Sequence, residues 1–301
     1  DIVDPFVVLI TVLVLLALLL GIGVWVGLSL FAVAIISLAL FRSMPVEKLL
    51  AQLTYNTVTT PEMVALPMFI LMAEILFHTR LSASLFKGLA PWTNKLPGRM
   101  VHVNVLGCTL FAAISGSSAA TATTVGRITL SELFKRGYDK DLVIGSLAGA
   151  GTLGFLIPPS IILIIYGVLS ETSILKLFIA GIVPGLILAL GFMGYLAIRA
   201  TLNPSLIPSE DINPTWRDRL NGLVDLGPVV FLILLVLGSM YAGFASPSEA
   251  AAVGVLGAVL VSAAQKTLSW KTIRMACLSA VRTTSMIALI VAGAVFLSVA
   301  M

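Results

Sequence analysis

Residues 5–41 contain no charged side chain. That stretch is far longer than the about 20 apolar residues a helix needs to cross a bilayer. It divides at Gly21-Ile22-Gly23 into two membrane helices, each of about 16 to 19 residues. Comparable runs recur along the chain, and spans are expected near 5–20, 23–41, 61–78, 141–169, 174–198, 223–241, 247–264 and 283–301. With 59% hydrophobic and 11% charged residues, too little polar surface exists to cover a soluble domain. The expected fold class is an all-α polytopic membrane protein, with the lipid bilayer as its solvent.

One segment breaks the pattern. Residues 103–134 are long for one crossing and short for two, and their middle reads Ser115-Gly116-Ser117-Ser118-Ala119-Ala120-Thr121-Ala122-Thr123-Thr124. Small and hydroxyl residues suit a backbone that turns within the membrane and packs against neighbours, so a re-entrant helical hairpin is expected. A second break falls inside 141–169, at Gly151-Thr152-Leu153-Gly154-Phe155-Leu156-Ile157-Pro158-Pro159-Ser160. Neither proline has an N–H, so the carbonyls of Gly154 and Phe155 lose their helical partners. A discontinuous helix is expected there, tolerated where protein or a wet cavity satisfies the freed groups.

Charge placement bears on the hairpin. If 103–134 enters and leaves by one face, the loops 80–102, 127–141, 199–219 and 265–282 share a side. Those stretches then hold every lysine and arginine except Arg42, Lys48 and Lys176. A full crossing instead misplaces Arg80, Lys87, Lys95 and Arg99. The positive-inside rule favours the hairpin, and it puts the N-terminus, with Asp1 and Asp4, on the non-cytoplasmic side. A faint internal repeat aligns Thr59-Thr60 with Thr283-Thr284, each after an amphipathic stretch (46–58 and 270–282) and before an apolar span. Inverted repeats are a common ground plan of secondary transporters. The chain would then comprise a first repeat over 5–200, a cytoplasmic linker at 201–222 and a partial second repeat over 223–301. A partner for the hairpin, in roughly a hundred further residues, would lie past Met301. The first residue is Asp1, so the start is expected to be processed, trimmed or numbered from a longer chain. No basic n-region marks a cleavable signal peptide.

Two half-helices meeting inside a bilayer present N–H groups that favour an anion, while carbonyls and hydroxyls suit Na⁺. Ser115, Ser117, Ser118 and Thr121 supply hard oxygen ligands without fixed charge. The alternative, that these small residues serve only close helix approach, remains open at this point. Ser246-Pro247-Ser248-Glu249 has the form of a capping box with proline at the first helical position, and Thr59-Thr60-Pro61-Glu62 looks alike. Glu249 and Glu62 therefore read as helix-start residues. Glu74 is the one acid well inside an expected span, a functional candidate or an interfacial pairing partner. His78 and His102 fall near basic loops.

Other chemistries find little support. Cys108 and Cys277 lie far apart and read as packing residues rather than a disulfide or ligand pair. No His, Cys and carboxylate cluster has metal-ligand spacing, and no P-loop is present for ATP hydrolysis. The net charge of +4 comes without a basic patch interleaved with aromatics, which argues against nucleic acid.

Ala113-Ile114-Ser115-Gly116-Ser117-Ser118-Ala119-Ala120-Thr121-Ala122 and Gly151-Thr152-Leu153-Gly154-Phe155-Leu156-Ile157-Pro158-Pro159-Ser160, followed by Ile165-Tyr166-Gly167, are familiar in this order. So are Leu177-Phe178-Ile179-Ala180-Gly181-Ile182-Val183-Pro184-Gly185 and Ser246-Pro247-Ser248-Glu249-Ala250-Ala251-Ala252. Together they resemble the large membrane subunit of tripartite ATP-independent periplasmic (TRAP) transporters, the DctM-like family. The resemblance implies an inverted-repeat, elevator-type transporter in a bacterial or archaeal inner membrane, here with its second repeat incomplete. It implies Na⁺-coupled secondary active import of a small organic acid, and no enzyme activity. The implied partners are a small membrane subunit, separate or fused, and a periplasmic substrate-binding protein. Carried over by position, Na⁺ falls to Ser115, Gly116, Ser117, Gly154 and Phe155. Substrate falls to Ser117, Ser118, Thr121, Pro158, Pro159 and Ser160. The family's second hairpin and its Thr-Pro-Pro break have no counterpart here. The competing readings are a passive channel or non-transporting scaffold, and an intramembrane hydrolase with a serine nucleophile in 115–118, for which His78 and His102 fall toward loops at the basic face, distant in depth from the turn.

Overall fold

The computed structural model describes residues 5–41, 45–208 and 214–300, and every regular element among them is helical. In chain order these are α1 (Pro5–Gly21), α2 (Val26–Phe41), α3 (Val46–Val58), α4 (Ala65–Phe77), α5 (Leu81–Thr93), α6 (His102–Ser115) and α7 (Ser118–Lys135). There follow α8 (Lys140–Gly151), α9 (Ile161–Leu169), α10 (Ile174–Leu202), α11 (Trp216–Tyr241), α12 (Pro247–Ala264) and α13 (Trp270–Ala300). They group into two compact units, one of the described residues up to Val64 with those from Val281 onward, the other Ala65–Ala280. Asp1, Asp4 and Arg42, used above for sidedness, lie outside the described residues, as does part of the 201–222 linker.

Among the described residues, four single helices are long and apolar enough to cross a membrane: α10, α11, α12 and α13. The expected spans 5–20 and 23–41 are the shorter apolar helices α1 and α2, of 17 and 16 residues. The expected span 61–78 is a 3-10 turn at Pro61–Val64 followed by the 13-residue α4, and with α3 it makes a bent pair that together is long and apolar enough for a fifth, broken span. At 1.5 Å per residue α4 reaches only about 20 Å. The hydroxyls of Thr59 and Thr60 donate back to the carbonyls of Tyr55 and Thr57, closing α3. The stretch 270–282, expected as a basic loop ahead of its span, is instead continuous with it in α13. The repeat partners therefore differ for a chemical reason: Pro61 follows the first threonine pair, and helix-compatible Ser285 follows the second. Residues 80–102 and 127–141 are likewise more helical than expected, since α5 occupies the first and α7 runs through Lys135.

Helix starts follow side-chain chemistry. Ser246 and Glu249 form a complete capping box at α12, with Pro247 just inside. Thr215 and Asp218 form another, which starts α11 seven residues before the expected span at 223.

In the first unit, Val12, Val33, Ala34 and Leu38 pack with Phe296, Leu297 and Ala300. Phe31 and Phe296 bring their ring centroids to 5.9 Å. The outer face of α1 stays apolar and exposed, at Phe6, Leu13 and Leu18, as suits a lipid-facing helix.

In the second unit, α5 and α11 touch backbone to backbone. A methyl on Gly88 would sit 2.8 Å from the Gly222 carbonyl oxygen, and one on Gly222 would sit 2.7 Å from that of Gly88. Small residues allow such approach where lipid gives no hydrophobic drive between helices. Helix α4 lies along α12, where Gly254 makes room for the Met72 sulfur and for Val236. Val236 belongs to a π-helical turn, Leu234–Gly238, inside α11. Phe69 and Phe178 meet edge to face. Cys108 is buried, as a packing residue should be, but Cys277 is exposed on α13 rather than packed.

Candidate functional site

The segment expected to turn back does so. Helices α6 and α7 pack together, joined only by Gly116 and Ser117. Gly116 adopts φ 62° and returns its N–H to the Ala112 carbonyl, ending α6 in the left-handed conformation that glycine takes without strain. Ser117 is extended, and its hydroxyl accepts the Ala120 N–H to start α7. Behind the turn, the hydroxyls of Ser115 and Thr121 meet at 2.8 Å, tying one arm to the other. Both residues are fully buried. The Ser117 N–H also donates to the Ser115 hydroxyl, at 3.4 Å.

The second break lies against the first. Helix α8 ends at Gly151, a 3-10 turn carries Thr152–Phe155, and regular helix resumes at Ile161. The Pro158-Pro159 peptide bond is cis. The Ile161 N–H donates to the Gly116 carbonyl at 3.1 Å, a main-chain bond from the restarted helix to the hairpin turn. A methyl on Gly116 would lie 2.5 Å from the Pro159 carbonyl oxygen, and one on Gly154 would lie 2.8 Å from the Ser117 carbonyl carbon and oxygen and the Ser118 nitrogen. The two breaks are thus one joint, closed by glycines on both sides. Ser160 finishes it: its hydroxyl donates to the Phe155 carbonyl at 2.6 Å and accepts the Leu163 N–H. One of the two carbonyls that the prolines deprive of a helical partner is satisfied this way.

The opposite wall is α10. A methyl on Gly181 would meet the Leu156 carbonyl oxygen at 2.5 Å, and one on Gly185 would meet the Ile157 side chain at 2.9 Å. Both glycines stand in the 177–185 motif, whose spacing gave no hint of the surface it faces.

The anticipated site residues separate by accessibility. Ser115, Gly116, Thr121, Gly154, Pro158, Pro159 and Ser160 are buried, Ser117 and Ser118 are partly open, and Phe155 is exposed. The oxygens of Ser115, Thr121 and Ser117 converge, since the Ser115 hydroxyl lies 3.4 Å from the Ser117 carbonyl and 2.8 Å from the Thr121 hydroxyl. Hydroxyl and carbonyl oxygens without fixed charge are the hard donors that alkali cations take. The first turns of α7 and α9 also open at the joint, bringing two positive helix ends together. Nearby, the Thr124 hydroxyl is buried without a hydrogen-bond partner, a group the sequence reading did not single out.

Other candidates stand apart. His102 begins α6, about 20 Å along the helix from Ser115, with its Nε2 at 2.6 Å from the Pro97 carbonyl oxygen. That distance removes it as a base for a serine nucleophile at the turn. His78 packs edge-on against Phe77, whose face the Arg127 guanidinium covers at 4.4 Å. Glu74 is partly buried on α4 and forms no ion pair among the described residues. No cluster of three or more His, Cys, Asp or Glu occurs among the described residues.

Among helices able to span a bilayer, two helix breaks are thus packed into one buried joint. The chain belongs to the DctM family, the DctM component of tripartite ATP-independent periplasmic transporters, whose model matches residues 13–301. This is a family of transporter components rather than enzymes. The ectoine/5-hydroxyectoine TRAP transporter large permease protein UehC of Ruegeria pomeroyi is 34% identical over 225 residues, covering 74% of this chain and 52% of that protein. The C4-dicarboxylate TRAP transporter large permease protein DctM of Pseudomonas aeruginosa is 35% identical over 204 residues, 66% of this chain and 46% of that protein. The sialic acid TRAP transporter permease protein SiaT of Haemophilus influenzae is 30% identical over 269 residues, 89% of this chain and 43% of that protein. The chain spans about half the length of these relatives or less.

Proposed function

We propose that this chain forms part of the membrane core of a Na⁺-coupled importer of an organic acid, working by an elevator-type movement in a bacterial or archaeal inner membrane. The observation that carries the reading is the joint itself, where the Ile161 N–H meets the Gly116 carbonyl and Gly154 lies under Ser117. In this reading Na⁺ is held by Ser115, Gly116 and Ser117 with the carbonyls of Gly154 and Phe155. The substrate carboxylate faces the helix starts at Ser117, Ser118 and Ser160, with Thr121 and Pro158-Pro159 shaping the surface. No fixed charge lies within 103–126. Helix ends and the co-transported cation therefore meet the anion, which keeps the site able to release it.

The names of the relatives support the substrate class, since ectoine, C4-dicarboxylates and sialic acid all carry a carboxylate. The partners in this reading are a small membrane subunit and a periplasmic substrate-binding protein. The repeat division at 5–200, 201–222 and 223–301 belongs to the same proposal, as does a periplasmic N-terminus. The test is reconstitution of the full-length transporter with its binding protein in liposomes. Substrate should accumulate uphill only under an inward Na⁺ gradient. Uptake that merely equilibrates, whatever the gradient, would indicate a passive pore instead.

A further inference from the structure

A cleft of about 660 Å³ opens between the first turns of α8 and the last turns of α10. Its mouth carries Asp139 and Asp141 from one wall and Arg199 from the other. No carboxylate comes within 4.0 Å of Arg199 among the described residues. The two signs of charge therefore share the mouth without neutralising one another. One oxygen of Asp139 is engaged, accepting the Leu142 N–H at 2.9 Å. Away from the charges the lining turns apolar, through Leu142, Leu196 and Phe192 to Gly149. From Asp139 to Gly149 the α8 wall runs about 15 Å, and from Arg199 to Phe192 the α10 wall runs about 10 Å.

Since α10 is one of the four helices able to span the bilayer, its final turns lie at a membrane–water boundary. Tyr195, 59% exposed on the rim of the cleft, is the residue type that favours this level. The cleft is separate from the joint. Gly149 faces the Phe192 ring, whereas Gly151, two residues on, faces Ala122 of the hairpin. The α8 backbone divides them.

We propose that this cleft binds a membrane phospholipid with an aminophosphate headgroup. Arg199 holds the phosphate, Asp139 and Asp141 receive the ammonium, and one acyl chain lies along Leu142, Leu196 and Phe192. A soluble ion of either sign would leave the opposite charge and the apolar walls unused. A purely anionic lipid would meet two carboxylates with no cation to offer them. The zwitterion matches both charges, and its chain matches the walls.

The test is native mass spectrometry of the full-length transporter, purified in detergent and titrated with lipids of one headgroup at a time. Phosphatidylethanolamine should bind in preference to phosphatidylglycerol, whose headgroup lacks the amine, and to phosphatidylcholine, whose amine cannot donate. Removing the charge-assisted bonds with Arg199→Ala should weaken that binding roughly tenfold, and Asp141→Asn should narrow the preference over phosphatidylglycerol. Gly145 lines the cleft on an exposed helix face, and a Cβ added there meets nothing within 4 Å. Gly145→Leu therefore occludes the cleft while leaving the helix intact, and it should abolish the adduct in a protein that melts as the unmodified one does. Unchanged phosphatidylethanolamine binding in Arg199→Ala and Gly145→Leu would overturn the proposal. So would equal binding of phosphatidylglycerol, or full competition by free phosphoethanolamine.

Discussion

Replacing Gly116 with alanine tests the joint at its narrowest point. The added methyl would fall 2.5 Å from the Pro159 carbonyl oxygen, in a residue whose φ is 62°. Holding a non-glycine residue in the left-handed region costs about 1–2 kcal/mol. Relieving the overlap costs about 1–3 kcal/mol more, by analogy with other overpacked sites. Because the Gly116 carbonyl accepts the Ile161 N–H, any retreat also endangers that bond, worth about 0.5–1.5 kcal/mol. The total is about 2.5–6.5 kcal/mol, enough to separate the turn from the second break or to unfold the region. The assay pairs thermal unfolding of the purified full-length transporter with substrate uptake in liposomes. Gly191→Ala is the control, because its methyl meets open space on a helix and should be neutral or stabilising by up to about 1 kcal/mol. Gly116→Ala should lower the melting temperature and uptake together. If it melts and transports like the control, the close contact does not hold the two breaks together.

Two further outcomes follow from local contacts. Ser160→Ala removes the cap of α9 and the donor to the Phe155 carbonyl. It should destabilise by about 1–2 kcal/mol in chemical or thermal unfolding, with partial recovery in Ser160→Thr, which keeps the hydroxyl. Gly222→Leu forces α5 and α11 apart at their backbone contact and should reduce the yield of folded protein in detergent. Leucine at Gly227, which has nothing within 4 Å, should be tolerated.

Much of this architecture is written in short-range chemistry. The hairpin could be read because 103–134 has the wrong length for one or two crossings, and the turn because Gly116 sits among residues with little lipid affinity. The prolines announce the break in 141–169, although they say nothing of where the freed Phe155 carbonyl finds its partner. That partner, Ser160, is nearby in sequence but becomes evident only once the backbone has turned. The contact of Gly154 with Ser117, and of Gly181 with Leu156, depends on helices distant in sequence, which periodicity cannot pair. Membrane helices compound the difficulty, because lipid-facing and protein-facing residues are equally apolar. Hydropathy alone therefore joined 61–78 into one span and split 270–300 into two parts. Proline at 61 and its lack at 285 account for the actual pattern. The cleft beside Arg199 was invisible for a similar reason: Asp139, Asp141 and Arg199 read as ordinary loop and helix-end charges until α8 and α10 lie side by side.

The central claim is that the hairpin turn and the helix break together hold the coupling ion. It is tested most directly by the Na⁺ dependence of uptake in the reconstituted full-length transporter, comparing Ser115→Ala and Ser117→Ala with the unmodified protein. Both variants should fold and transport. Ser115→Ala should raise the half-saturating Na⁺ concentration several-fold, about 1 kcal/mol for its lost hydroxyl, and Ser117→Ala, which keeps the carbonyl facing Ser115, should raise it less. An unchanged Na⁺ half-saturation and an unchanged rate in both variants would contradict the claim and return these serines to a purely structural role.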